Sequence, residues 1–407
     1  MKSASKIFIF IFILLQNTLG FSQALDDYRS AVSGTWGTRA NWVRWDGSAW
    51  VTPTAGQGAP NGSEGIVTVL SGHTMTIGAN VSIDQVIINS GGTVQTSAAV
   101  VLTIADGAGI DLQVDGTFID ASSASVVAGA GTPYWSIGAS GSLIKTTASG
   151  ADFWQGNYSG GISTIPSTAN WILRKTTAAD PVITTIGAYY PNLTIENNVA
   201  GIWNTVTTST FQGSTGFPTI KGNFDIGGSG TSEVNFLNQH TFGTPTLVQG
   251  NTIIQMKNIL SNYGTGIEVQ GDITVSIAGT LQYDAADARR LVFSGGNAQS
   301  FSGMGTVGIY DMTMNKSANS LTLNRAITVD NLLTFTSGLI NTTAVNLLTI
   351  NTSGTVASAN NSSFVNGPIR LLNGAAFTFP VGKGTDYQPL GVSATTSAPF
   401  DFTCEYF

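Results

Sequence analysis

The sequence predicts an all-β protein with the architecture of a parallel β-helix or β-solenoid, and three observations point to it. Only 10% of the 407 residues are charged, where an ordinary soluble domain carries about 25%. Short runs in which apolar and polar side chains alternate close on Gly, Asn, Asp or Ser, as strands and turns do. Related short phrases return at spacings in the low twenties, a length typical of one solenoid coil.

The composition also excludes several classes of protein. Helix surfaces are usually built from Glu and Lys, and this chain has only five Glu and eight Lys. Disordered chains are rich in charge and poor in apolar residues, whereas 42% of this chain is hydrophobic. The net charge of −7 argues against a nucleic-acid partner, which needs clustered Lys and Arg.

The first 24 residues have the pattern of an export signal. Lys2 and Lys6 precede nine consecutive apolar residues at 7–15, a run too short for a membrane-spanning helix of about 20 residues. Small residues before position 25 predict cleavage between Ala24 and Leu25. We therefore expect a protein that is secreted or lies on the outer cell surface, with no membrane insertion after the signal is removed.

Repeats divide the remainder of the chain. Three phrases with a central glycine, at Gly222, Gly250 and Gly271, are 28 and 21 residues apart, and a longer echo links 190–197 to 310–316. A solenoid needs atypical ends, so a cap is expected before the first coil. The predicted segments are a signal peptide (1–24), a Trp-rich cap (25–63), a first solenoid module (64–200), a second module (201–360) and a β-rich segment (361–407). The last segment is expected to begin a further, β-sandwich-like domain that is cut short at the end of the chain.

Four tryptophans lie close together before the first coil, at Trp36, Trp42, Trp45 and Trp50. Large aromatic side chains suit an end cap, where they bury much apolar area over the first coil. The same rings, if exposed, would stack on sugar rings and form a carbohydrate contact. Both interpretations stay open at the level of sequence.

Carboxylates are the next candidates, because some β-helices act on polysaccharides. Asp84 and Asp106 are one period apart and would stack on neighbouring coils about 4.8 Å apart, where they could hold calcium or form an acid pair. The alternative is two turn residues that face water. Asp111 and Asp115 share a strand, but four residues at ~3.3 Å place them about 13 Å apart, beyond the reach of a glycosidase pair.

The remaining chemistry-bearing residues predict neither a cofactor nor a catalytic centre. His73 and His240 are the only histidines, and Cys404 is the only cysteine, so a zinc site has too few ligands. Cys404 lies in an alternating stretch and is predicted to be a strand residue. No nucleotide-binding loop or serine-hydrolase turn is present in the sequence.

Several segments resemble secreted β-helix repeat proteins of Bacteroidota. The segments are 33–36 (SGTW), 71–77 (SGHTMTI), 365–370 (VNGPIR) and 379–384 (FPVGKG). This resemblance implies a Trp-containing start, a β-helix, and export as an adhesin-like cargo of the type IX secretion pathway. In such proteins a C-terminal sorting domain usually follows, and none follows in this chain.

Together these features predict a structural or adhesive β-solenoid without catalytic activity, with extracellular polysaccharide or cell-surface glycans as its partners. The alternative is a carbohydrate-binding or polysaccharide-degrading β-helix, which predicts a groove with acidic and aromatic residues from adjacent coils. A third possibility is an ice-binding face built from rows of Thr. The oligomeric state is left open.

Overall fold

The computed structural model describes residues 23–97, 99–121, 125–146, 153–178, 181, 189–204, 219–229, 232–235, 246–255, 257–260, 266–283, 290–372, 376–393 and 400–407. Most of the predicted signal peptide and His240 lie outside these residues.

Short strands make up most of the described chain. The first group is β1 (Tyr28–Ser30), β2 (Gly34–Thr35), β3 (Trp42–Trp45), β4 (Trp50–Val51), β5 (Val67–Val69), β6 (Thr74–Ile77), β7 (Val81–Ile83), β8 (Val86–Ile88), β9 (Thr93–Thr96), β10 (Val101–Ile104), β11 (Leu112–Val114), β12 (Thr117–Asp120), β13 (Ser125–Ala128), β14 (Trp135–Ile137), β15 (Ser142–Lys145) and β16 (Asn170–Lys175). The second is β17 (Tyr189–Tyr190), β18 (Asn192–Asn197), β19 (Gly201–Asn204), β20 (Thr219–Ile220), β21 (Phe224–Gly228), β22 (Ser232–Asn235), β23 (Thr246–Val248), β24 (Thr252–Ile254), β25 (Lys257–Leu260), β26 (Ile267–Val269), β27 (Ile273–Val275), β28 (Thr280–Tyr283), β29 (Arg290–Gly295) and β30 (Gln299–Ser302). The third is β31 (Thr306–Leu323), β32 (Ile327–Asn341), β33 (Leu348–Ile350), β34 (Thr355–Ala357), β35 (Val365–Asn366), β36 (Ile369–Leu371), β37 (Phe377–Phe379), β38 (Val381–Lys383), β39 (Asp386–Tyr387), β40 (Leu390–Val392) and β41 (Phe402–Cys404). A helix α1 (Phe153–Gly156) and 3-10 turns at Arg39–Asn41 and Ile162–Thr164 complete the elements.

Where the structure describes a coil in full, that coil places one strand on each of three parallel faces. The first face stacks β5, β8, β11 and β14 and later β17, β20, β23, β26 and β29. The second stacks β6, β9, β12, β15, β16, β18, β21, β24, β27 and β30. The third stacks β7, β10 and β13 and later β19, β22, β25 and β28. The long strands β31 and β32 run from face to face within one coil.

The predicted fold class is confirmed: the chain is 52% strand and 3% helix, and its stacked parallel strands form a solenoid of about ten turns. Ladder pairing continues across the predicted module boundary at 200/201, where Leu193 pairs with Phe224. It also continues past residue 360, where β35 pairs with β38. Because strand pairing continues past both positions, the structure does not separate the two modules or the segment 361–407, and this division of the chain stays a prediction from the sequence.

Antiparallel pairing returns at the C-terminal end of the stack. The strand β41 pairs antiparallel with β36, and β37 pairs antiparallel with β40. Cys404 lies in β41 and is buried, as its alternating sequence predicts, and burial raises the pKa of its thiol.

Alternation with period two puts every second side chain of a strand inside the solenoid. On the second face Phe118, Leu143, Trp171 and Leu193 follow one another in register, and all four are buried. Neighbouring strands lie about 4.8 Å apart, so these side chains stack into a continuous core. Burial of this apolar column is the main stabilising contribution.

The repeated glycine phrases build a ladder of side-chain amides at the corner between the first and second faces. The side-chain oxygen of Asn192 accepts the peptide N–H of Asn223 at 2.8 Å, Asn223 accepts that of Asn251 at 2.9 Å, and Asn251 accepts that of Asp272 at 2.8 Å. Each coil thereby satisfies a peptide donor of the next coil, at a turn where no strand partner is available.

A glycine precedes three of these ladder positions, because the backbones approach too closely for a side chain. A Cβ on Gly250 would lie 2.5 Å from the carbonyl carbon and oxygen of Gly222, a distance that side-chain carbons do not tolerate. Gly271 is packed against Gly250 in the same way. The glycines of the repeated phrases therefore lie along an edge where neighbouring coils are closely packed.

The N-terminal segment caps the first coil. The strand β1 pairs in parallel with β5 and antiparallel with β3. Trp36 and Trp42 are buried, with ring centroids 4.8 Å apart in an edge-to-face arrangement, and their indole N–H groups donate to the carbonyls of Pro60 and Trp36. These two tryptophans therefore have the structural role that the cap interpretation predicts.

Candidate functional site

A groove on the first face, beside the cap, is a candidate site. It has a volume of about 300 Å³, at the lower end of the range for ligand pockets. Its walls and floor come from two cap strands and three successive coils, through Gln23, Asp27, Arg29, Trp50, Ile66, Thr68, Leu70, Ile87, Asn89, Gln113 and Asp115. Aromatic, acidic and amide side chains therefore share one concave surface.

The floor is a row of outward-facing side chains in register. Arg29 on β1 pairs with Thr68 on β5, Thr68 with Ile87 on β8, and Ile87 with Gln113 on β11. These residues point outward because their neighbours in each strand point into the core. The row crosses four strands and so extends about 14 Å along the solenoid axis at ~4.8 Å per strand.

A second row lies at the ends of the same strands. Leu70, Asn89 and Asp115 each follow directly after a paired strand residue, so they stack above one another at the rim of the groove. Asp115 accepts a hydrogen bond from the Gln113 amide at 2.5 Å. The carboxylate is thereby oriented within the groove, and its other oxygen has no hydrogen bond to a described residue.

The cap supplies the opposite wall. The Arg29 guanidinium lies over the Trp50 ring, 4.3 Å from its centroid, a cation–π contact that fixes both side chains. The Trp45 ring lies 5.5 Å from Trp50 and is tilted by 59°. Arg29 makes no hydrogen bond or ion pair with any described residue, so its donors stay available to a ligand.

Asp27 is also at the groove, but its carboxylate is committed to the fold. One oxygen accepts the peptide N–H of Ile66 at 2.8 Å and the other accepts that of Ala24 at 2.8 Å. The side chain is 7% exposed. It joins the start of the cap to the first coil and leaves the groove chemistry to Arg29 and Asp115.

The sequence-predicted tryptophans divide between two roles. Trp45 and Trp50 are both half-buried, and of the two Trp50 lines the groove, where its ring could contact a sugar. The exposed platform is wrong for Trp36 and Trp42, which are 2% and 0% exposed. Their rings fill the interior of the cap because the chain enters the stack there.

Sequence reasoning missed the other groove residues. Thr68, Ile87 and Gln113 are separated by 19 and then 26 residues, so no constant period aligns them. The signal that could have found them is the outward position of each in its strand. That position becomes useful only when the length of every corner loop is known.

The predicted carboxylate pair lies at a different place, the corner between the third and first faces. Asp84 and Asp106 interact there, but a third carboxyl, Asp111, interacts with Asp84 more strongly. Burial, then contact with Asp111 and charge from Asp106, raise the pKa of Asp84 to about 6. The acid pair at this corner is therefore Asp84 with Asp111, rather than with Asp106.

Asp111 is held firmly in this corner. It is fully buried, and its carboxylate accepts the peptide N–H groups of Gly107 at 2.7 Å and Tyr134 at 2.6 Å. Asp106 accepts the peptide N–H of Thr132 at 2.9 Å. These contacts are those of turn residues that tie neighbouring loops together.

Metal binding finds no support at this corner. Within the described part of the chain, no group of three His, Cys, Asp or Glu side chains is placed to hold a metal ion. His73 has a structural contact instead, between its Nδ1 and the Ser30 hydroxyl at 2.8 Å. The weak candidacy of Asp84 and Asp106 as metal ligands stays a prediction.

No protein-family model, curated protein or solved structure matches the chain. What the site does must therefore be argued from its own geometry.

Proposed function

We propose that the protein is a secreted or outer-surface β-solenoid that serves as a rigid structural or adhesive element, without catalytic activity. The observation that carries the proposal is the second-face ladder, which runs without a gap from β6 to β30 and on into β31 and β32. A stack of this kind projects a long, stiff surface. The export-like start of the sequence and its resemblance to type IX cargo of Bacteroidota support the location.

The outer surface suits such a role. Outward positions at the start of the second-face strands carry Thr74, Thr93, Thr117, Ser142 and Asn170 in register. Hydroxyl and amide side chains can hydrogen-bond to their neighbours at this spacing, whereas repeated like charges would repel. The low charge of the chain follows from this stacking, and it leaves a neutral polar surface for contact with other polymers.

Location is tested on the native protein. N-terminal sequencing of the cell-surface or secreted protein should begin at Leu25, and protease added to intact cells should remove the protein. A chain that begins at Met1 and is protected from the protease overturns the proposed location. In the described part, no helix is long and apolar enough to cross a membrane.

Adhesion is tested with the purified mature chain. Beads coated with it should attach to the polysaccharide-bearing surface of cells more than beads coated with heat-unfolded protein do. Equal attachment of both kinds of bead overturns the adhesive role.

A carbohydrate-active protein is the second candidate, and the groove on the first face favours it. The groove takes the Asn89 and Gln113 amides and the Asp115 carboxylate from adjacent coils, and its aromatic ring, Trp50, from the cap. Degradation is tested by release of reducing ends from polysaccharides, with Asp115→Ala in the groove and Asp84→Ala and Asp106→Ala at the other corner as variants. Activity that disappears in those variants overturns the non-catalytic proposal.

The arrangement of Thr gives less support to an ice-binding face than the groove gives to a carbohydrate-active protein. The outward row begins with three Thr, at Thr74, Thr93 and Thr117, and then changes to Ser142 and Asn170. Thermal hysteresis of the purified protein tests this possibility, and its absence removes it.

A further inference from the structure

We propose that the groove between the cap and the first face binds a segment of an uncharged oligosaccharide or polysaccharide. Trp50 and Arg29 would form one wall of this site, and Asn89, Gln113 and Asp115 its polar side. The inference rests on the proposed surface role and names the ligand class that the adhesive surface takes.

The shape fits a linear polymer better than a compact molecule. The floor row follows the solenoid axis across four strands, and the cavity of about 300 Å³ is partly open to solvent. Side chains on the floor alternate between polar and apolar, from Thr68 to Ile87 to Gln113. A sugar ring has the same mixed character, with apolar C–H faces and a polar rim of hydroxyls.

The hydrogen-bonding groups that are available in the groove suit the hydroxyls of a sugar. Among the described residues, the Asn89 amide and the Arg29 guanidinium have no side-chain hydrogen bond, and Asp115 uses one oxygen to accept from Gln113. A carboxylate, two amides and a guanidinium provide both acceptors and donors on one side of the groove. Each sugar hydroxyl is itself a donor and an acceptor, so such a set can bind several of them.

The aromatic wall is held in place before any ligand arrives. Trp50 has Arg29 against its face at 4.3 Å and Trp45 beside it at 5.5 Å. A ring that is already fixed loses little conformational entropy on binding. Its remaining free surface and Ile87 provide apolar contacts for sugar C–H groups.

Charge selects against acidic polymers. The groove has one cation, Arg29, and two carboxylates, Asp27 and Asp115, on a chain whose net charge is −7. The Arg29 guanidinium lies against the Trp50 face and forms no ion pair with a described residue, so the two carboxylates leave the groove with an excess of negative charge. A polyanion would meet uncompensated negative charge, whereas a neutral glycan would not.

The test uses the full mature chain in affinity electrophoresis through gels that contain dextran, laminarin, mannan, xylan or polygalacturonate. At least one of the four neutral polymers should retard the protein, and polygalacturonate should not. Trp50→Ala and Asp115→Asn should each weaken the retardation at least tenfold. Tyr134→Ala and Asp386→Asn, which change an exposed aromatic and an exposed acid elsewhere, should leave it unchanged.

Asp115→Asn keeps the size of the side chain, so it guards against a fold defect in Trp50→Ala. Absence of retardation by all four neutral polymers overturns the inference, as do stronger binding to polygalacturonate and binding that is unchanged in both groove variants. A protein that is found on the cell surface but binds none of the polymers defeats this inference alone. A protein that binds but stays inside the cell defeats the proposed surface role instead.

Discussion

Two corners of the solenoid stack polar residues in opposite ways. At the corner between the first and second faces, Asn192, Asn223 and Asn251 accept peptide N–H groups from the next coil. At the corner between the third and first faces, Asp84 and Asp111 bring carboxyl groups together. The first arrangement is neutral and can be repeated along the rod, whereas the second concentrates negative charge and occurs where loop lengths change.

The difference shows what in-register stacking demands of a polar side chain. An amide has an acceptor for the coil above and carries no charge, so adding another coil adds another hydrogen bond. A carboxylate repels its neighbour and is stabilised only by protonation or by a fixed partner. The buried oxygen Oδ1 of Asp84 has no hydrogen-bond partner among the described residues, which is the cost of this second arrangement.

A third case, inside the core, pairs a carboxylate with a cation. Asp120 on β12 lies opposite Lys145 on β15, with Lys145 Nζ 3.4 Å from Asp120 Oδ2, and both residues are fully buried. The Trp154 indole N–H donates to the same oxygen at 3.1 Å. The pair lets two charged residues stack in successive coils without repulsion.

The largest expected effect comes from breaking this buried pair. Lys145→Met should destabilise the protein by about 3–5 kcal/mol, because it leaves the Asp120 carboxylate buried without its cation. Thermal and urea unfolding measured by circular dichroism provide the test.

Addition of Asp120→Asn to Lys145→Met should restore part of the loss, because it removes the uncompensated charge. If the double variant is no more stable than Lys145→Met, the loss arises from packing rather than from charge.

A smaller loss is expected at the glycine edge of the amide ladder. Gly250→Ala should cost about 1–3 kcal/mol, since its Cβ would meet the Gly222 backbone at 2.5 Å and force the coils apart. The matched control is Gly37→Ala, where no atom lies within 4 Å of the added Cβ. Equal unfolding temperatures for the two variants would contradict close packing at this edge.

The ladder itself is tested by Asn251→Ala. Loss of the acceptor leaves the Asp272 peptide N–H without its 2.8 Å hydrogen bond, so we expect a loss of about 1 kcal/mol and faster hydrogen exchange at that amide. Asn251→Asp keeps the acceptor and should retain slow exchange at the Asp272 amide, as Asp272 itself accepts from Ser300 at 2.7 Å, although repulsion between the new carboxylate and Asp272 should lower stability. Unchanged exchange at the Asp272 amide in Asn251→Ala would rule out the ladder.

The smallest effect is a pH dependence of stability at the corner between the third and first faces, where Asp84 lies; we call it the acid corner. The pKa of Asp84 is about 6 in the folded protein and about 3.9 in an unfolded chain. Between these values the folded state holds a proton that the unfolded state has released, so stability falls as pH rises from 4 to 6. Because Asp84 is partly exposed, solvent screening limits the loss to about 1 kcal/mol.

Asp84→Asn removes this titration and should raise stability at pH 7.5 but not at pH 4. Asp46→Asn provides a contrast of opposite sign, because hydrogen bonds from Ala49 and Ser48 lower the pKa of Asp46. Its destabilising effect should be present at pH 7.5 and smaller at low pH. Identical pH profiles of urea unfolding for Asp84→Asn and wild type would refute the raised pKa.

Much of the fold can be predicted from local sequence, but the contact between carboxyl groups at the acid corner cannot. Alternation identifies inward residues such as Leu143 and Leu193, because each strand obeys it separately. The corner loop cannot be aligned in that way: Ile83 pairs with Ile104, 21 residues later, but Val86 pairs with Leu112, 26 residues later. The five extra residues bring Asp111 back to Asp84, and a constant period points to Asp106 instead.

The groove illustrates the same limit on predicting sites. A cluster of tryptophans indicates a cap, but which rings face inward depends on the antiparallel pairing of β3 with β1 and β4. That pairing buries Trp42 and leaves Trp50 at the wall. Long-range register of this kind is set by loop lengths and packing together, so it was not accessible from residue types alone.

The continuous second-face ladder has a mechanical consequence. Neighbouring strands on this face belong to successive coils, so the hydrogen bonds that join them run along the solenoid axis. A load along the axis therefore pulls directly on these bonds, one coil against the next. Because each coil contacts only its neighbours, we expect the rod under tension to lose coils one after another from an end rather than to unfold in a single step.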